Sequence, residues 1–442
     1  MRKVAVFVLA IGLMGMAYAD LQNVTVGGEL RMRGRWWDDW NDTGLKYVEQ
    51  LTALHVNADF TDNVSAFIQF HSYNRWGEDF RSNYLTGLDS RPTDDVAIHQ
   101  AYINVEELFG APLRLRVGRQ ELTFAKAWLL GSQTSPTMWY SYDALRLTYK
   151  EGKFTLDGWM SKLADNSPNE EDGDVDYYGL YATYNACDWF NVSPYWVYIR
   201  DGRTPGVSHL HTPALRVWGA GSGFDYNVEL AYQFGESEQA SAIFKHDLDY
   251  NAFAGDVELG YTFDANCKPR VFVGGAYFGG EDNPNSSSTN PAARPGWSGG
   301  AYFGGEDNPN TDDDLSFNRL FSGQWYSSIL DIRDGASAMT NFWQVRGGLT
   351  ANATKAISTG LSLAYFGIVD AIDNADDGIG TMSHVWVRYQ YSADLWLRIG
   401  WEHLFKEDGL TDGNWIFHNG LSRPTLNDRD ADYLYFDTQV KF

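Results

Sequence analysis

Arg31, Arg33 and Arg35 stand at every second position of one short tract, with Met32 and Gly34 between them. Arg114 and Arg116 repeat the spacing among Leu113, Leu115 and Val117. A guanidinium is a planar fork of N–H donors that keeps its charge at any working pH, and it suits carboxylate and phosphate groups. Forks on one face of an extended segment would make an anion-binding stripe. Arg146, Arg216, Arg346, Arg388 and Arg398 sit in alternating tracts of the same kind. So do Glu29, Glu49, Asp157, Glu229, Glu258, Glu402 and Asp437, so the polar face is mixed in sign.

Catalytic chemistry has less support. His55, His71, His99 and His384 lie in alternating tracts with no serine partner close in sequence, and neither H-E-x-x-H nor a P-loop occurs. The expectation is a protein that is not an enzyme. The acidic tracts Asp165 to Asp176 and Asp312 to Asp314 could hold Ca2+ through oxygen ligands, although EF-hand spacing is absent. No other cofactor and no further metal site is expected.

The elements that carry these residues follow from composition and period. The chain has 442 residues, 58 acidic against 34 Lys+Arg, and a formal net charge of −24. Such a balance disfavours nucleic acid as a partner, because phosphate binding needs clustered cations. Aromatics make up 15%, which is too many for a disordered chain. Residues 1–19 read as a secretory signal peptide. Arg2 and Lys3 give the positive start, Val4 to Met14 the apolar run, and Ala17-Tyr18-Ala19 the cleavage pattern. No later stretch of 18 apolar residues could form a spanning helix.

From residue 20 to 442 the period is two. Val64, Ala66, Ile68 and Phe70 alternate with Ser65, Gln69 and His71; Leu395, Leu397, Ile399 and Trp401 alternate with Trp396, Arg398 and Glu402. This is strand periodicity with one apolar and one polar face. About eighteen strands are expected between 23–37 and 431–442, with one short helix near Glu106–Gly110. The links sort by parity. Thr61-Asp62-Asn63, Glu151-Gly152, Ala186-Cys187 and Gly221-Ser222 are short, whereas 75–94, 122–140, 280–337 and 406–430 are long. Short turns at one end and long loops at the other describe an outer-membrane barrel. The expected fold is therefore all-β: a single closed antiparallel transmembrane barrel of about 18 strands, with short periplasmic turns and long extracellular loops. Leu434, Phe436, Val440 and the terminal Phe442 share one face of the last strand, which suits that reading.

Gly274 to Asn285 recurs without change from Gly299 to Asn310, inside the 280–337 loop. A single copy is not a solenoid. Phe317 to Asp331 of the same loop is rich in apolar and aromatic residues, so this part should fold back on the barrel or into its mouth. Cys187 and Cys267 fall in separate turns, and no bridge between them is expected.

At Leu115-Arg116-Val117-Gly118-Arg119-Gln120-Glu121-Leu122 the chain resembles the alginate-export family of outer-membrane porins. Trp139 to Leu147, Phe317-Asn318-Arg319-Leu320-Phe321 and the tract Asn341 to Ile368 carry the same resemblance. It implies an eighteen-stranded barrel that passes an anionic polysaccharide through an arginine-lined lumen. An extended link near the end helps to occlude the pore in that family; here Ser392-Ala393-Asp394 is short.

With apolar residues toward lipid, Arg31, Arg33, Arg35, Arg114, Arg116, Arg146, Arg216, Arg346, Arg388 and Arg398 should face the lumen. An Arg on the lipid face at mid-depth would cost about 2–4 kcal/mol. Most of these lie on the first, fifth, sixth and fourteenth to seventeenth strands, which gives one Arg-bearing wall opposite Glu229, Asp256 and Glu258. The expected function is an anion-selective channel of the outer membrane of a Gram-negative-type cell, for small anionic solutes or saccharides. A structural or adhesive barrel with a loop-plugged lumen is the alternative. Expected partners are membrane lipids, lipopolysaccharide and the barrel-assembly machinery.

Overall fold

The computed structural model describes residues 21–38, 44–76, 96–132, 139–165, 173–202, 207–237, 248–280, 316–330, 339–371, 375–411 and 429–442. The leader at 1–19, the second repeat copy at 299–310 and Asp312 to Asp314 lie outside them, as does much of the Asp165 to Asp176 tract.

Eighteen strands follow one another. The first six are β1 (Asn23–Asp38), β2 (Gly44–Thr61), β3 (Val64–Arg75), β4 (Ala97–Val105), β5 (Leu113–Gln120) and β6 (Tyr142–Glu151). Then come β7 (Phe154–Ala164), β8 (Val175–Cys187), β9 (Phe190–Asp201), β10 (Ser208–Gly221), β11 (Phe224–Ser237) and β12 (Leu248–Thr262). The last six are β13 (Arg270–Phe278), β14 (Phe342–Asn352), β15 (Ile357–Ile368), β16 (Gly378–Gln390), β17 (Leu395–Lys406) and β18 (Ala431–Lys441). The expected short helix is a 3-10 turn at Leu108–Gly110.

Each strand pairs antiparallel with its sequence neighbours, and β1 also pairs with β18. That seam runs from Glu29 opposite Lys441 to Asp38 opposite Asp432. Phe442 and Gly28 exchange backbone hydrogen bonds beyond it, at 3.1 and 2.9 Å. The sheet thus closes as a barrel and leaves no unpaired edge, a requirement for strands in lipid.

Alternation sets the two faces. Val26, Leu180, Val273, Val345, Leu363 and Ile399 are exposed on the outside. On the same strands Arg33, Tyr181, Gln344, Ala364 and Glu402 are buried. So wide an apolar exterior is stable only against lipid. Cys187 and Cys267 are separate exposed thiols at the short-turn end.

Candidate functional site: the constricted lumen

Two loop segments enter the barrel. The first inner loop (121–132) links β5 to β6; the second (316–330) belongs to the long β13–β14 connection. They pair through their backbones. Phe321 N–H donates to Leu129 O at 3.0 Å, Gly131 N–H to Phe321 O at 2.8 Å, and Gly323 N–H to Ala127 O at 2.8 Å. The second loop was expected, from its apolar content, to fold back on the barrel or into its mouth, and it takes the second course. The first escaped notice, although Leu122, Phe124 and Trp128-Leu129-Leu130 are the same signal in an otherwise polar link.

Aromatic seats on the wall hold both loops. Phe124 stacks on Trp159 and Tyr181, with ring centroids at 4.9 and 4.7 Å. Phe321 packs against Tyr142 and Tyr177 at 5.3 and 4.9 Å. Trp128 Nε1 donates to the Tyr326 hydroxyl at 2.9 Å, which donates to Asp256 at 3.0 Å. Burial, followed by the Asp256 charge, pushes the Tyr326 phenol well above its usual range, so it stays protonated and donating. Gln233 clamps the backbone of Asn318 with two hydrogen bonds of 2.7 Å. Ser328 donates to Glu402 of β17 from its hydroxyl at 2.6 Å and its N–H at 2.8 Å. The loops therefore span the lumen from β6–β8 past β11–β14 to β17.

The arginines divide into two groups. Five are matched by carboxylates. Arg31 binds Asp437 at 2.6 Å, and Arg33 lies 3.7 Å from the same group. Arg35 pairs with Glu49, Arg146 with Asp157 at 2.8 Å, and Arg346 with Asp256 at 2.9 Å and Glu258 at 3.4 Å. Arg216 is more loosely matched, 3.9 Å from Glu229, with its Nε donating to Asn227 at 2.7 Å. Arg114 donates to Thr148 at 3.3 Å and has Glu106 at 3.9 Å.

The other group has no ion-pair partner among the described residues. Arg116 donates to Asn104 at 2.8 Å and lies 4.1 Å over the Tyr102 ring. Arg388 donates to Gln390 at 3.0 Å and stacks on Trp396 at 4.6 Å. Arg398 stacks on Trp386 at 4.7 Å, with Tyr435 at 5.4 Å. Ring faces hold these guanidinium groups without neutralising them.

The expected division into an Arg wall and a facing acidic wall does not hold. Arg346 reaches Asp256 and Glu258 directly. Arg270, which the sequence reading passed over, binds Asp225 at 2.5 Å and Glu258 at 3.1 Å. Register explains the difference: Gly274 of β13 stands between Arg346 and Glu258, so the guanidinium crosses β13 to the carboxylates of β12. The tract Gly296-Trp297-Ser298-Gly299-Gly300 fits the G-x-S-x-G pattern of nucleophile elbows and lies outside the described residues.

A closed eighteen-stranded barrel with an apolar exterior and loops narrowing a polar lumen is an outer-membrane channel. The chain belongs to the alginate-export family, whose model, described as "Alginate export", matches residues 22–323. Among solved structures it is similar to OccAB1 of Acinetobacter baumannii, with 11% identity and a TM-score of 0.57 over 97% of this chain and 99% of that one. OpdO of Pseudomonas aeruginosa gives 12% identity and 0.57 over 96% and 98%. The outer membrane protein OpdK of the same species gives 12% and 0.54 over 95% and 98%. At such identities the likeness concerns the fold. No curated protein matches the chain.

Proposed function

We propose that the channel passes small anionic solutes or saccharides along the wall that carries Arg116, Arg388 and Arg398. The carrying observation is the set Arg116, Arg388 and Arg398, three cations on that wall without an ion-pair partner among the described residues. Rings of such groups draw anions into a pore, and a narrowed lumen focuses their field. The paired arginines, Arg35 and Arg346 among them, act as braces. The reading includes export through the 1–19 leader, delivery by the barrel-assembly machinery, and an outer wall against lipid and lipopolysaccharide. It calls for no resident cofactor.

Reversal potentials in planar bilayers test it. The wild type should prefer anions, and replacing Arg116, Arg388 and Arg398 together with Gln should lower the anion-to-cation permeability ratio while the barrel still assembles. A cation-selective wild type would defeat the proposal, and a non-conducting one would favour a structural barrel plugged by its loops.

A further inference from the structure

The outer wall from β7 to β10 carries polar side chains where lipid should meet apolar ones. Tyr177, Ile199 and Leu210 are buried inside, so alternation turns Tyr178, Tyr198, Arg200, His209 and His211 outward. Two rungs of the sheet line up there, at the long-loop end. In the upper rung Lys162, Asp176, Arg200 and His209 face one another across four strands. Met160, Tyr178, Tyr198 and His211 form the next rung down. Beneath it Leu180, Trp196 and Pro213 begin the apolar wall. Charge, then rings, then aliphatic groups is the order met on passing from a headgroup layer into acyl chains.

The cations of the upper rung differ in what they have left to give. Lys162 is taken by Asp174 and Asp176 at 2.7 and 2.8 Å. Arg200 has only that same Asp176, at 3.9 Å, and makes no hydrogen bond to a described residue. His209 stands directly opposite it. The Tyr198 hydroxyl meets His209 Nδ1 at 2.7 Å, and the Tyr198 ring stacks on His211 at 4.5 Å. These contacts fix both imidazoles, yet His209 Nε2 and the two His211 nitrogens have no hydrogen-bond partner among the described residues. A guanidinium opposite a charged imidazole is a repulsive cross-strand pair, which an anion held by both relieves. On a lipid-facing wall the anion at that height is a headgroup. A phosphate monoester presents three acceptor oxygens, enough for the Arg200 fork and His209 Nε2 together.

We infer that this patch seats a lipopolysaccharide-type glycolipid of the outer leaflet, with Arg200 and His209 on its phosphate and His211 on a sugar hydroxyl. This deepens the reading of the outer wall as lying against lipid and lipopolysaccharide, and rests on it.

Native mass spectrometry of the folded barrel, released from detergent after incubation with one lipid at a time, provides the test. The probes are diphosphoryl lipid A, lipid A stripped of its phosphates, and phosphatidylglycerol. Diphosphoryl lipid A should be retained as a single adduct at a concentration about tenfold below that needed for either of the others, as expected for one charge-assisted contact. Arg200→Gln together with His209→Gln should raise that concentration by about the same factor while the barrel still runs as a heat-resistant closed band. Arg119 is the matched control. It lies on the same outward rung, at β5, and its fork is spent on Asp143 through two hydrogen bonds of 2.8 Å, so Arg119→Gln should leave retention unchanged. Equal retention of stripped lipid A or of phosphatidylglycerol, an unaffected double variant, or an equal loss in Arg119→Gln would overturn the inference. A barrel that retains none of the probes would overturn the reading of the wall on which it rests.

Discussion

Tyr326 ties both inner loops to the wall through one hydroxyl, accepting from Trp128 and donating to Asp256. Tyr326→Phe keeps the ring, which packs edge-on against Phe278 and Phe342, but orphans a buried indole N–H. Leaving such a donor unsatisfied costs about 1–3 kcal/mol. Local opening of the loops should then rise roughly 5- to 150-fold. Hydrogen exchange of 317–330 and open-channel noise would record it; protection equal to wild type would show that the hydroxyl holds nothing. At this scale the sequence yielded the faces and withheld the partners. That Arg31 and Arg398 point inward follows from a period of two. That Asp437 lies opposite Arg33 on one side and Arg398 on the other follows from the register across two seams, which alternation does not specify. Arg116 and Arg346 look alike in sequence. Their fates diverge because Asn104 stands opposite the first, while Asp256, two strands away, reaches the second.

Strand count, strand order and the sorting of links were legible, because each rests on local chemistry repeated eighteen times. The seat for the first inner loop was not, because it depends on a side chain that is missing. A Cβ on Gly179 would stand 2.0 Å from Trp159 Cζ2, so the indole lies flat on the β8 backbone. Only in that position does Trp159 offer its face to Phe124. Gly179→Val should leave the hairpin paired and lift the indole, at a cost of about 1–3 kcal/mol for overpacking. Faster exchange at 121–130, with β7 and β8 still protected, is the expected result. Unchanged exchange in both regions would show that the stack does not hold the loop.

For the whole molecule, the question is whether barrel and constriction are separable. Wall strands bond to one another all the way round, so the cylinder owes no backbone ladder to the inner loops. The loops owe their position to the wall, through Gln233, Asp256 and Glu402. Two deletions in the β13–β14 connection should therefore differ sharply. Removing 286–310, which spans the second repeat copy, spares Phe278 and Gly279 before the cut and Phe317 to Leu330 after it. Assembly and conductance should stay close to wild type. Removing 281–330 and bridging the gap with a short Gly/Ser linker deletes the second inner loop and the backbone partner of Leu129 and Gly131. The barrel should still fold and resist heat as a closed band on a gel, and its conductance should rise severalfold with weaker ion preference, since a wider pore no longer focuses the field of Arg116, Arg388 and Arg398. If the larger deletion abolishes assembly, wall and constriction fold as one unit. If it assembles with conductance unchanged, the current does not pass the constriction at all, and the selectivity assigned to Arg116, Arg388 and Arg398 fails with it.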